Sequence, residues 1–276
     1  FHSQTPALNT DAGESGLKVA FFVGCLIDKI FPRVAEAAIQ VLNHHGVGIY
    51  LPEAQGCCGI PAASSGDTAS FKRLVQYNLE IFEAEKFDYL VTACATCTST
   101  IKEVWPVLIG KEPQEIVGGV KRISEKTLDI HQLLVDKVGL KRISPTKTEN
   151  PVCVTYHDPC YLGRHNGCFE PPRDVLQMLP GVEFVELPES AEMNWCCGGG
   201  GGVSSNERAN ELRLQVFSAK KRQLDAARPE GLVTACSNCR HMLEDGLEDN
   251  DMHDIELIGI TELIAEHLVA DTKPAG

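Results

Sequence analysis

Short runs of consecutive apolar residues alternate along the chain with longer stretches in which apolar residues return every three or four positions. Lys18 to Val23 is the first short run, rich in residues that favour strands, and it ends at Gly24-Cys25. Phe31 to His45 follows with Val34, Ala38 and Leu42 at helical spacing and a stop at Gly46. Val47 to Leu51 returns to the strand pattern, and Pro52 opens a loop that leads to Cys57. Asp67 to Lys86 has the helical period again, with Phe71, Leu74, Val75, Asn78 and Phe82 on one face and Asp67 where an N-cap belongs. Tyr89 to Ala93 predicts a strand, with a helix starting near Cys97; a strand over Leu128–Ile130 and a helix over His131–Val138 close the first half. The second half predicts strands at Val152–Tyr156, Val182–Leu187, Leu232–Ala235 and Ile255–Ile258. Between and after them come helices at Arg173–Leu179 and Asn206–Ala227, near Met242, and at Thr261–Leu268. Strands that are apolar nearly throughout, alternating with helices, predict parallel sheets covered on both faces, an α/β fold.

The alternation runs through the chain twice, and the cysteines mark the repeat. Five fall at Cys25, Cys57, Cys58, Cys94 and Cys97, and five at Cys160, Cys196, Cys197, Cys236 and Cys239. The copies are offset by 135 residues at Cys25/Cys160, 139 at Cys57/Cys196 and 142 at Cys94/Cys236, so only small insertions separate them. Leu90-Val91-Thr92-Ala93-Cys94-Ala95-Thr96-Cys97 returns as Leu232-Val233-Thr234-Ala235-Cys236-Ser237-Asn238-Cys239, and Cys57-Cys58-Gly59 returns as Cys196-Cys197-Gly198. A self-similarity of half the chain means two copies of one domain rather than a solenoid of short repeats. The expected divisions are an unstructured lead-in over 1–17, a first domain over 18–140, a polar linker with Pro145 over 141–150 and a second domain over 151–270.

Composition narrows the class. At 276 residues the length suits two domains, each with its own core, and 43% hydrophobic with 23% charged residues is ordinary for a globular chain. The formal net charge of −13 argues against nucleic acid as a partner, because few phosphates could be neutralised. No apolar run is long enough to span a membrane, and no signal-peptide pattern follows Phe1. The chain starts without Met, so it reads as a fragment or a processed chain with a module upstream.

Twelve cysteines in a chain that needs no disulfide staples point to metal or redox chemistry. Each of the ten repeated cysteines follows the carboxyl end of a predicted strand, where open α/β sheets gather their binding residues. Each set of five can therefore converge despite its spread in sequence. Soft thiolates favour zinc or iron–sulfur chemistry over hard cations. C-x2-C pairs are the usual half-site of zinc, yet a tetrahedral zinc or an ordinary cubane takes four ligands where each set offers five.

The motif Cys-x31-Cys-Cys-Gly-x34-Cys-x2-Cys and its second copy resemble the cysteine-rich CCG domain found in heterodisulfide reductase and in the iron–sulfur subunit of glycolate oxidase. The resemblance covers about residues 18 to 268 and is nearest the glycolate oxidase type at Tyr156-His157-Asp158-Pro159-Cys160 and Cys196-Cys197-Gly198-Gly199-Gly200-Gly201. It implies two tandem Rossmann-like, doubly wound CCG domains related by a pseudo-two-fold axis, with one [4Fe–4S] cluster, cubane or noncubane, per five-cysteine set. It further implies an electron-transfer subunit of a glycolate- or lactate-type dehydrogenase complex. A flavin-containing subunit or a ferredoxin-type module would feed it, a quinone or membrane-associated acceptor would drain it, and it would work in the cytoplasm or at the inner face of the membrane. The alternative is a module that cleaves a disulfide or heterodisulfide at a noncubane cluster, as in heterodisulfide reductase. No C-x2-C-x2-C-x3-C-P ferredoxin motif occurs in the chain, so electrons would enter from elsewhere.

Other residues carry weaker signals. The run Gly198–Gly202 has no Lys-Ser/Thr after it and no G-x-G-x-x-G spacing, which argues against a phosphate loop. Gly59, Gly198 and Gly199 instead suit backbone N–H groups brought close to a cluster. His157 and Asp158, just before Cys160, are candidates to orient a substrate, move a proton or support the ligands. Cys153 and Cys168 have no counterparts in the first repeat and are expected to be buried free thiols. His44 and His45 are expected to complement a helix end, and Trp105 and Trp195 to sit in the core.

Overall fold

A computed structural model describes residues 1–140 and 151–268. The first half builds a sheet from β1 (Leu8–Asn9), β2 (Lys18–Phe22), β3 (Gly48–Leu51), β4 (Tyr89–Thr92) and β5 (Thr127–Asp129), in the order β1-β3-β2-β4-β5. The second half builds one from β6 (Val152–His157), β7 (Val182–Phe184), β8 (Gly231–Thr234) and β9 (Glu256–Gly259), in the order β7-β6-β8-β9. All pairings are parallel except β1 with β3. In each sheet the chain leaves its first parallel strand to one side and then crosses to the other, so β2 lies between β3 and β4, and β6 between β7 and β8. That reversal opens a crevice beyond the strand ends, the usual ligand position in doubly wound sheets. The registers match residue for residue: Phe22 stands opposite Thr92 as His157 stands opposite Thr234.

The halves interlock. Helix Pro32–His44 follows β2 and buries Val34, Ala35, Ala38, Val41 and Leu42, packing against helix Ile260–Glu266 of the second half. Helix Glu170–Met178, which follows β6, packs in turn against Ile130–Leu133 of the first half. These reciprocal contacts are those of a pseudo-two-fold axis. A buried polar seam reinforces them: His131 Nδ1 lies 2.6 Å from Asp129 Oδ1, and His131 Nε2 lies 3.2 Å from Thr261 Oγ1. Instead of two separate cores, one continuous apolar cluster runs through both halves.

Several expectations change. The segment 1–17 is not an unstructured lead-in. Leu8 and Asn9 pair antiparallel with Leu51 and Tyr50, His2 N donates to Asp28 Oδ1 at 2.8 Å, and Gly13 N donates to Gly46 O at 2.9 Å. Two strand residues are too few to show periodicity, and their stability comes from the edge of β3 that they cover. Asp67 caps its helix as expected, accepting from Ser70 N. The helix near Met242 is Ser237–Asp249, and the one expected from Asn206 begins at Asn210. Helices Ile60–Ser64, Trp105–Ile109 and Gln114–Lys126 had no prediction. The expected linker 141–150 lies outside the described residues, as do residues 269 and 270 of the second domain.

Candidate metal centres

The loops after β2, β3 and β4 bring Cys25, Cys57, Cys58, Cys94 and Cys97 to one place at the reversal point of the first sheet. Cys25 Sγ donates to Cys57 Sγ at 3.5 Å. Thiol contacts continue from Cys57 to Cys58, Cys97 and Cys94. The second set repeats the series as Cys160, Cys196, Cys197, Cys239 and Cys236. The two series meet, because the Cys94 and Cys236 thiols lie close enough to shift one another. Ten thiols therefore form one unbroken path across the pseudo-two-fold.

Local structure explains the meeting. Cys94 and Cys236 each stand at the N-cap of the helix that carries the second cysteine of its C-x2-C pair. The strand ends touch, with Ala95 N donating to Ala235 O at 3.1 Å, the Ser237 amide close enough to help lower Cys94, and Thr96 Oγ1 lying 3.2 Å from Cys236 Sγ. The neighbouring Cys236 thiol, together with these donors, holds Cys94 well below the usual thiol range.

Each Cys-Cys pair is poised in the same way. The hydrogen bond from Cys25, with help from Cys58 and the Gly59 amide, lowers Cys57 to about 3. The bonds from Cys160, Cys197 and Gly198 lower Cys196 to about 2. Cys25 and Cys160, which give those bonds, are pushed up, and Cys197 rises to about 12 beside Cys196. Among the glycines expected near the sulfurs, Gly59 N donates to Cys57 Sγ at 3.5 Å and Gly198 N to Cys196 Sγ at 3.3 Å. The Gly199 amide lies close enough to Cys197 to act against the rise in its thiol. Gly59 has φ 95°, and a Cβ there would stand 2.8 Å from Phe71 Cδ2. Soft thiols backed by amide donors, with bare backbone where a Cβ would intrude, fit an iron–sulfur group or zinc and do not fit a hard cation.

His157 ends β6 and is wholly buried, with no hydrogen-bond partner among the described residues for Nδ1 or Nε2. One of its ring nitrogens and the sulfurs of Cys197 and Cys239 all lie within 4.8 Å of one another. Burial and the charge of Lys220 hold its imidazole in the neutral form. Asp158 faces elsewhere: Arg173 grips it with bonds of 2.7 and 2.9 Å, and Ala191 N donates to it. Its role is therefore to brace the loop that leads to Cys196. Sequence reasoning missed Lys220, which is fully buried, donates to Asn194 Oδ1 at 2.8 Å and Gln223 Oε1 at 2.7 Å, and is lowered to about 8 by desolvation. Asn194 in turn donates to Asp158 O. At the matching position, offset by the 142 residues that separate Cys94 from Cys236, the first half carries Asn78. Asn78 bonds Gly56 N and Cys57 O directly.

The first set faces a cavity of about 250 Å³, mostly apolar, to which Ile27, Ile30, Ile60 and Pro61 contribute. The run Gly199–Gly202 and Tyr161 reach it from the second half, so one half's glycine loop borders the other half's thiols. Cys168 is buried and Cys153 half-buried, both outside the thiol series. Trp105 is core, donating from Nε1 to Cys58 O at 2.8 Å, whereas Trp195 is 48% exposed.

The cysteine-rich CCG domain matches residues 19–102 and again 154–244. The chain is 36% identical over 271 residues to one subunit of the dihydromethanophenazine:CoB–CoM heterodisulfide reductase of Methanosarcina barkeri, covering 94% of this chain and 61% of that protein. It is 28% identical over 251 residues to lactate utilization protein A of Oceanobacillus iheyensis, covering 91% of this chain and 98% of that protein. It spans about half the length of other curated relatives it matches. A hypothetical protein from Helicobacter pylori shares the fold, with a TM-score of 0.58 at 11% identity over 96% of this chain and 51% of that one.

Proposed function

Because the chain belongs to the cysteine-rich CCG domain family, we propose that it is the iron–sulfur electron-transfer part of an oxidoreductase complex. The observation that carries this reading is the unbroken path of ten thiols from Cys25 to Cys160 through the Cys94–Cys236 contact. In it, Cys25, Cys57, Cys58, Cys94 and Cys97 hold one centre, and Cys160, Cys196, Cys197, Cys236 and Cys239 hold the other. Five ligands per site suit a [4Fe–4S] centre of noncubane form. When bound, such centres carry single electrons at potentials set by burial and hydrogen bonds to sulfur. The chain's residues supply that setting: the Gly59 and Gly198 amides donate to sulfur, the buried strands exclude water, and the braced loops fix the thiols in place.

The complex is read as a 2-hydroxyacid dehydrogenase of the glycolate or lactate type. A flavin subunit would take hydride from the acid, and electrons would pass toward a quinone or another acceptor. The likeness to lactate utilization protein A, which extends over 98% of that relative, supports this. No helix among the described residues is long and apolar enough to cross a membrane, so a membrane-bound acceptor would be met through a partner or by surface contact.

A second reading is cleavage of a disulfide at the first centre, for which the 250 Å³ cavity lined by those thiols would have to seat both the centre and the substrate. The likeness to the Methanosarcina heterodisulfide reductase supports it. Anaerobic purification should yield about four iron and four sulfide per site. Stoichiometric zinc without sulfide would refute both readings. Reduction of the loaded protein by a flavin dehydrogenase with glycolate or lactate supports the first, and cleavage of a CoM–CoB-type heterodisulfide without any flavin partner supports the second.

A further inference from the structure

We propose that the imidazole of His157 is a nitrogen ligand of the second centre, so that the two halves hold unlike centres. The first would be bound by thiolates alone, the second by thiolates and one imidazole. This rests on the reading that both cysteine sets carry iron–sulfur groups, and it assigns to one of those groups a ligand outside the five-cysteine pattern.

Three observations converge on it. His157 is fully buried with both ring nitrogens unpartnered among the described residues. An unmade hydrogen bond in the interior costs about 1–3 kcal/mol, and native proteins leave few such groups without a reason. Second, a ring nitrogen stands with the sulfurs of Cys197 and Cys239 in a group whose members lie within 4.8 Å of one another. That places the imidazole beside both sulfurs, within reach of a metal they would hold. Third, the position has an internal control. Phe22 occupies the same place in the first half, offset by the 135 residues that separate Cys25 from Cys160, and stands opposite Thr92 as His157 stands opposite Thr234. The fold therefore accepts an apolar ring at this strand end. What the second half adds is nitrogen, set beside thiols and with no other partner among the described residues. Imidazole ligation raises the potential of an iron–sulfur centre. The second centre is then the better electron acceptor of the two.

The test uses the whole chain, labelled with [15N]histidine, purified without oxygen and partly reduced. Hyperfine spectroscopy on its electron paramagnetic resonance should show a strongly coupled histidine nitrogen. That coupling should vanish in His157→Phe, the residue the first half already carries, while iron and sulfide content is maintained. The two midpoint potentials should also draw together in that variant. Iron and sulfide present with only the weak coupling of an N–H···S neighbour overturns this proposal and leaves the iron–sulfur reading standing. A strong coupling that survives in His157→Phe overturns it in favour of another histidine, such as His241 beside the cavity. Protein without iron and sulfide overturns both. If His157→Phe fails to fold, the labelled parent chain still decides by the strength of its coupling.

Discussion

Two thiols, Cys57 and Cys196, are held as thiolates by the hydrogen bonds that Cys25 and Cys160 give them, before any metal arrives. With values of about 3 and about 2, they remain thiolates down to acid pH, because lowering the thiol's own value moves its titration below the neutral range. In metal-free, reduced protein, iodoacetamide should modify these two at a rate that is flat from about pH 5 to about pH 8. Modification of Cys153, whose thiol is raised by burial, should climb throughout that interval. Mass spectrometry of the labelled peptides reads the difference; equal slopes at all sites would contradict the thiol pairing. Gly59 is the backbone counterpart of this arrangement. Gly59→Ala places a Cβ 2.8 Å from Phe71 and forces a side chain into positive φ. It should lower stability by about 1–2 kcal/mol in urea titration and reduce iron retention, because the amide that serves Cys57 must move. The ten cysteines were legible at once since their spacing repeats. Lys220 was not, although a signal was present: it follows Phe217 by three residues and precedes Leu224 by four, a cation on an apolar helical stripe. Tyr161 left no such trace, because only the fold carries it to the other half's cavity.

Among the elements, those legible in the sequence are the ones that bury a long periodic face. Helices Pro32–His44 and Thr68–Glu83 lie close to their predicted bounds because one side meets the core and the other meets water. Helix Gln114–Lys126 escaped because Gly118-Gly119 interrupts its pattern. The structure explains the break: a Cβ at Gly119 would meet Leu79 Cδ2 at 2.8 Å, so the glycine is what lets this helix lie on Thr68–Glu83. Strand β1 escaped for want of length. Between elements, the seam of Asp129, His131 and Thr261 ties a strand end of the first sheet to the last helix of the second. Thr261→Val keeps the shape and leaves His131 Nε2 without its partner in a fully buried place. It should cost about 1–3 kcal/mol, seen as a lower urea midpoint for the whole chain with its cooperativity unchanged. An unfolding curve split into two transitions would mean the halves are stable independently of this seam.

At the scale of the molecule, the doubly wound architecture was readable from alternation and repeat, whereas the direct approach of Cys94 to Cys236 was not, since no spacing encodes it. That contact has a magnetic consequence. With both centres reduced, their electron paramagnetic resonance signals should be split or broadened by spin–spin interaction, and Cys57→Ser, which weakens the first site alone, should return the second to an unsplit form. Two independent signals in the doubly reduced protein would place the centres farther apart than the thiol path implies. The reciprocal helix pairings bear on ancestry. Helix Pro32–His44 on Ile260–Glu266, answered by Glu170–Met178 on Ile130–Leu133, is the geometry of an isologous homodimer joined into a single chain. In a homodimer every substitution arrives twice, once on each side of the axis, and a change useful to one site is imposed on the other. Fusion of the two copies lifts that constraint. A histidine at 157 where the other half has phenylalanine at 22, and a lysine at 220 where it has asparagine at 78, are differences that a homodimer cannot hold.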